Sequence, residues 1–161
     1  MEVSQGLKDS AQRVQNVLRE LGYTNEVVEL PDSTRTAQEA ANAIECEIAQ
    51  IAKSILFRQQ KSNRPLLVVA SGVNRVNEKL ISTYIQDELG KADADFVRER
   101  TGFVIGGVAP VGHTEEIETI VDEDLFRYGT IWAAEGHPKA VFRLTADELV
   151  KMTGGRVLPI K

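Results

Sequence analysis

Apolar positions along this chain recur with two periods, 3.6 residues and 2 residues, and the switches between them predict the elements. From Ser10 to Leu21, Val14, Val17, Leu18 and Leu21 share one helical face, polar residues lie opposite, and Gly22 supplies a stop. The spacing predicts a helix over 8–21. Glu26 to Leu30 reads as a short strand ended by Pro31. Thr34 or Thr36 can cap a second helix over 36–44, and Thr36 with Glu39 has capping-box spacing. Ile48 to Phe57 fits either period. Ile51, Lys53, Ile55 and Phe57 nevertheless alternate with Ala52, Ser54 and Leu56, as in a strand that is apolar on both faces. Polar residues 59–65 turn from it into the buried strand Leu66–Ala70, which predicts a β-hairpin.

Asn74 to Leu89 predicts a helix, its body at 76–89, closed by Gly90. Asp93 or Asp95 opens a short helix to about Arg100. Strands are expected at 103–108, 117–121, 130–134 and 140–144, with a helical turn at 123–126 headed by Asp122 as N-cap. Thr145 and Glu148 form a second capping-box pair, opening a helix over 145–152 that stops at Gly154-Gly155. No repeat, low-complexity tract or linker interrupts the pattern. Hairpins mix with helices instead of alternating regularly. Residues 1–161 therefore read as a single α+β domain with a curled, largely antiparallel or mixed sheet, in preference to a Rossmann-type sheet.

Composition narrows the function classes. The 161 residues, 42% of them hydrophobic, suffice for one core. No stretch approaches the roughly 18 apolar residues of a membrane span, and the N-terminus lacks a basic-then-apolar leader pattern. The expectation is a cytoplasmic protein with no membrane partner. A net charge of −5 disfavours non-specific binding along nucleic-acid backbones. Local contact with one RNA end remains open, because Arg35, Lys53, Arg58, Lys61 and Arg64 form a candidate basic rim around one predicted strand. The only cysteine, Cys46, permits no internal disulfide. Glu45 and Glu47 beside it raise a thiol pKa, which disfavours a nucleophile. Two histidines and one cysteine, in no zinc spacing, make a poor metal set, and no cofactor is expected.

Candidate chemistry concentrates in Thr101–His113. An apolar run, Phe103 to Ile105, stops at Gly106-Gly107, and Pro110, Gly112 and His113 follow. Glycine allows positive φ and close approach of backbone to a ligand, so this loop can present amide donors where an oxyanion develops. A plain strand connection uses the same residues. Lys53 inside an apolar strand either snorkels to the surface or clamps a phosphate as a point charge. Ser71, His113 and Asp122 lack any nucleophile-elbow pattern, so a triad is not supported. Phe126, Tyr128 and Trp132 recur too irregularly for a base-stacking platform and are expected in the core or a pocket wall.

Taken in order, Thr36–Ala41, Ile51–Phe57 with Lys53, Gly-x-x-x-Pro from Gly106 to Pro110, Asp122–Phe126, Gly136-His137-Pro138 and Thr145–Gly154 resemble the YbaK / prolyl-tRNA-editing family of aminoacyl-tRNA deacylases. The resemblance spans about Asp9 to Ile160. It implies a barrel-like sheet of six to seven strands surrounded by helices, and trans-editing hydrolysis of mischarged aminoacyl-tRNA. The tRNA would be tRNA(Pro) or a related one bearing a small wrong residue such as Ala, Cys, Ser or Thr. It further implies that Lys53 contacts the terminal adenosine end and that the backbone of Gly106, Gly107 and Pro110 holds the ester. Water then attacks an already activated ester, and no protein nucleophile is needed. Prolyl-tRNA synthetase editing domains and alanine-specific free-standing deacylases carry a Gly-then-His element near Gly136-His137, which the Cys-tRNA(Pro) branch does not clearly share. His137 is thus a candidate for lining the aminoacyl pocket, joined by Gly136, His113 and Thr36 as candidate substrate-binding positions. The implied partners are the aminoacyl-tRNA 3′ end and, in one variant of the reading, an aminoacyl-tRNA synthetase, with the protein a monomer or homodimer. The rival class is a non-catalytic adaptor that binds an aminoacyl or nucleotide end on the same fold.

Overall fold

One hairpin organises the chain. β2 (Ile51–Gln59) and β3 (Pro65–Ser71) pair antiparallel, with Lys53 opposite Ala70 and Arg58 opposite Pro65. The computed structural model describes residues 9–30, 36–136 and 139–161. Pro31, Thr34, Arg35, His137 and Pro138, all given roles above, lie outside the described residues. β3 is buried at every position, which its unbroken apolar run requires, because both faces of the sheet are covered there.

The sheet grows from this hairpin in the order β1-β7-β6-β2-β3-β5-β8. The added strands are β1 (Val27–Glu29), β5 (Glu118–Asp122), β6 (Ile131–Gly136), β7 (Lys139–Leu144) and β8 (Arg156–Leu158). β6 runs parallel to residues 51–53 of β2, while β4 (Leu89–Lys91) runs antiparallel to residues 57–59. Since β3 occupies one edge of β2 throughout, β6 and β4 share the other edge. The main core gathers Ala52, Leu56, Leu67, Val69, Val121, Ala133 and Phe142 from one face, under α1 (Asp9–Glu20) and α5 (Ala146–Thr153). It reaches from Val27 on β1 to Val121 on β5, so the sheet curls around it. On the other face α3 (Glu78–Ile85) covers Leu66, Val68 and Ile120, and α2 (Ala37–Ile44) covers Ile51, Trp132 and Ala134. The fold is α+β with a mixed, curled sheet, as the pattern predicted; among the described residues the sheet has eight strands and is not closed, where the resemblance implied a barrel-like sheet of six to seven.

Several boundaries differ, each for a tertiary reason. Residues 103–108 are a loop, not a strand. Phe103 turns into the core, whereas Val104 and Ile105 are 42% and 55% exposed at the tip and pair with no strand. The 76–89 helix contracts to α3. Asn77 caps it by accepting from the Leu80 amide, and Gln86 ends it at φ +55, freeing Leu89 to pair with Gln59 as β4. Leu21 lies past the end of α1 and is exposed, and Phe126 is exposed as well. Both capping boxes form as spaced, at Thr36/Glu39 and Thr145/Glu148.

Candidate active site

Lys53 lies on the outer face of β2, with Ile55 and Phe57 two and four residues on. Together with Gly72, Val73, Asn74, Arg75, Val76 and Glu78 they line a cleft of about 470 Å³. Lys53 is half-buried and makes no ion pair among the described residues. The parallel register sets Lys53 beside Ala134 on β6, so Gly136 follows two residues, about 7 Å, further along the neighbouring strand. α2, headed by Thr36, packs on this same face through Ala40 and Ala41 against Ile51, Trp132 and Ala134. The Thr36 hydroxyl accepts from the Glu39 amide at 3.1 Å, and the Thr36 amide donates to Glu39 Oε1 at 3.0 Å. Lys53, the N-terminal end of α2 and the end of β6 are therefore on one face.

The glycine loop is anchored from the other face. Val108, Ala109 and Val111 join the main core with Ala52 and Leu56, whose side chains point away from Lys53. Its neck is closed by the Thr114 amide donating to the Thr101 carbonyl, by the Thr101 hydroxyl donating to Val97, and by Arg13 donating to the carbonyls of Thr101 and Gly102. The Arg13 guanidinium also stacks 4.7 Å above the Phe103 ring. At the tip, Gly106 has φ +80 and open space where a Cβ would sit. The Gly107 amide donates to the Val104 carbonyl at 2.9 Å, so that donor is spent on a turn. Among the described residues the amides of Gly106 and Val108 make no hydrogen bond. No described contact joins this tip to Lys53.

His113 sits beneath the loop. Its Nε2 lies 2.7 Å from the Ala109 carbonyl, to which it can only donate, and its ring meets Phe103 edge-on. Burial pushes the imidazole pKa below the ordinary histidine value; the Ala109 carbonyl works against that and Arg13 adds to it. A neutral, donor-committed ring shapes the loop. The hypothetical triad does not assemble: the Ser71 hydroxyl donates to Ala49, and Asp122 meets the Ser71 amide instead of His113. Burial and Glu47 raise the Cys46 thiol, as its neighbours predict.

Of the expected basic rim, Arg58, Lys61 and Arg64 do not gather at Lys53. Arg58 faces the opposite side of β2 and donates to Asn63, while Lys61 and Arg64 sit at the far hairpin turn, about 20 Å along the strand. The cation that shares the cleft is Arg75, which the sequence reading passed over. The carboxylate that fixes its loop is Asp122. Asp122 caps the turn after β5 by accepting from the Asp124 amide, as its position predicts. It also accepts from the Ser71 amide at 3.0 Å and the Asn74 side-chain amide at 2.8 Å, and is 1% exposed. Asn74 donates as well to Asp124, whose carboxyl that amide, with Lys161 and Arg127, holds below the usual range.

Comparison with known proteins bears on what this arrangement does. The model of the aminoacyl-tRNA editing domain family matches residues 31–152. The uncharacterised protein YwhH of Bacillus subtilis is 31% identical over 133 residues, which cover 83% of this chain and 84% of YwhH. The proline–tRNA ligase of Kosmotoga olearia is 31% identical over 98 residues, 60% of this chain but only 16% of the ligase. A crystal structure described as a candidate trans-editing enzyme for prolyl tRNA synthetase superposes with a TM-score of 0.92 at 44% identity, covering 97% of this chain and 99% of that one.

Proposed function

The chain belongs to the aminoacyl-tRNA editing domain family, and from that premise we propose that it hydrolyses mischarged aminoacyl-tRNA in trans. Its substrate would be tRNA(Pro), or a related tRNA, bearing a small non-cognate residue. The relation to a proline–tRNA ligase and to a candidate trans-editing enzyme supports the choice of tRNA. The observation that carries the reading is Lys53, a half-buried cation with no ion pair among the described residues, at the floor of a cleft. Holding such a charge in an apolar strand is costly unless an anion completes it, and the RNA 3′ end supplies phosphate.

Hydrolysis needs little more than placement. Water adds to the ester carbonyl, a proton leaves the attacking oxygen, and the tetrahedral intermediate collapses by breaking the bond to the ribose oxygen. That oxygen takes up a proton, so the free amino acid and the tRNA hydroxyl are the only products. Lys53 would hold the RNA end. The uncommitted amides at Gly106 and Val108 would donate to the developing oxyanion, each worth a few kcal/mol. His137, with Gly136, would line the amino-acid side.

Deacylation of tRNAs charged with Ala, Cys, Ser and Thr tests the reading. The expected outcome is catalytic consumption of at least one. Lys53→Ala should slow it at least tenfold, while a change at this half-exposed position shifts stability by less than about 1 kcal/mol. His137→Ala should change which charged tRNAs are consumed. Stoichiometric protection of charged tRNA instead of turnover would assign the chain as an adaptor.

A further inference from the structure

We propose that Arg75 is the second cation of a two-point phosphate subsite shared with Lys53, and that Asn74 is its positioning residue. This deepens the deacylase reading and rests on it for the identity of the ligand. Lys53 rises from the strand and Arg75 from the loop that walls the same cleft, and neither forms an ion pair among the described residues. Ile55, Phe57 and Val73 line the same cleft; Val73 is 58% exposed, an apolar surface suited to a base or ribose.

The loop that carries Arg75 is held more tightly than a surface turn requires. Asn74 is 5% exposed, donates to both Asp122 and Asp124, and closes a turn through its amide to the Ser71 carbonyl at 2.9 Å. One residue earlier than Val73, the Gly72 amide donates to Ile51 at 2.8 Å. A buried carboxylate and amide joined in this way carry a desolvation cost that a plain connection would avoid. Here they fix the residue beside Asn74, which is Arg75. Glu78 also faces the cleft, so two positive charges oppose one negative. A net charge of one matches the single charge of a phosphodiester within an RNA chain better than the higher charge of inorganic phosphate.

The test is fluorescence anisotropy with a 5′-labelled RNA hexamer ending in CCA, titrated at several salt concentrations, in parallel with deacylation kinetics. Arg75→Ala should weaken binding about tenfold, the value of one charged hydrogen bond. It should also reduce the slope of log K against log salt by about 0.7, one single-strand phosphate contact. Lys53→Ala should do the same, and Arg75→Lys should restore the slope. Asn74→Asp, which sets a third carboxylate against Asp122 and Asp124, should lose the same slope and raise KM more than it lowers kcat. Millimolar inorganic phosphate should displace the hexamer poorly. An unchanged slope in Arg75→Ala beside a reduced one in Lys53→Ala overturns the inference and leaves the deacylase reading standing. Displacement by inorganic phosphate as readily as by unlabelled hexamer overturns the diester assignment. Wild-type protein that binds the hexamer through both cations yet consumes no charged tRNA overturns the deacylase reading alone.

Discussion

His113 shows how a residue that looks chemical can be structural, and its titration makes that measurable. Its folded-state pKa is depressed by burial, so the unfolded chain takes up the proton first as pH falls. The stability it contributes is complete above about pH 6.5, the ordinary value, and is lost as pH falls through that value toward the lower folded one. Thermal melts from pH 7.5 to 5 should fall less steeply for His113→Gln than for the wild type; parallel curves would remove the assignment. At neutral pH, His113→Ala should cost about 1–3 kcal/mol by leaving the Ala109 carbonyl unpaired. Much at this scale was legible in the sequence. Thr36, Thr145 and Asp122 act as caps because capping needs partners only two or three residues away. Lys53 stood out as a charge in an apolar strand, but the pattern alone left snorkelling and phosphate binding open, and only the resemblance assigned it to the RNA end. Arg75 did not stand out, because its link to Lys53 depends on the fold bringing residues 53 and 75 to one cleft. The usable signal was an asparagine and an arginine three and four residues after Ser71, the end of a buried strand, in Gly72-Val73-Asn74-Arg75.

Among the elements, those whose pattern is local were predicted and those defined by their partners were not. β2, β3 and β5–β7 carry enough apolar residues to declare themselves. β4 and β8 are three residues long, contain Lys91 and Arg156, and exist only because β2 and β5 offer them an edge. The converse error is the apolar triplet at 103–105, which has strand composition but no strand to join. The two glycines that matter most differ in kind. At Gly72 an added Cβ would crowd the Ile48 carbonyl oxygen, a backbone atom with little freedom to move away. Gly72→Ala should therefore destabilise by about 1–3 kcal/mol through overpacking and disturb the wall of the Lys53 cleft. At Gly106 there is space, but φ is +80, so Gly106→Ala should cost only about 1 kcal/mol. Denaturant melts of the two variants distinguish these origins. A cost at Gly72 no larger than that at Gly106 would mean that the Ile48 segment gives way to the added methyl.

For the whole molecule, the mixed sheet means that neighbours in space are remote in sequence. β2 acquires its parallel partner from residues 132–134, and β3 acquires its own from residues 118–121. Only the β2–β3 and β6–β7 pairs close locally. Such topologies fold slowly, over milliseconds to seconds, because loop closure comes before the contacts that reward it. Stopped-flow refolding in microseconds would contradict this. There is a consequence for the ribosome. The strand bearing Lys53 emerges some eighty residues ahead of the strand that flanks it, with half of its hydrogen-bonding edge unfilled meanwhile. Nascent chains stalled before residue 131 should show the β2–β3 hairpin with β2 amides that exchange freely on the β6 side. The cleft lining, residues 53–78, is thus complete early in translation, whereas the Asp122 anchor of its loop and the β6 neighbour of Lys53 come later, and a truncated product should retain the lining residues without the partners that fix them.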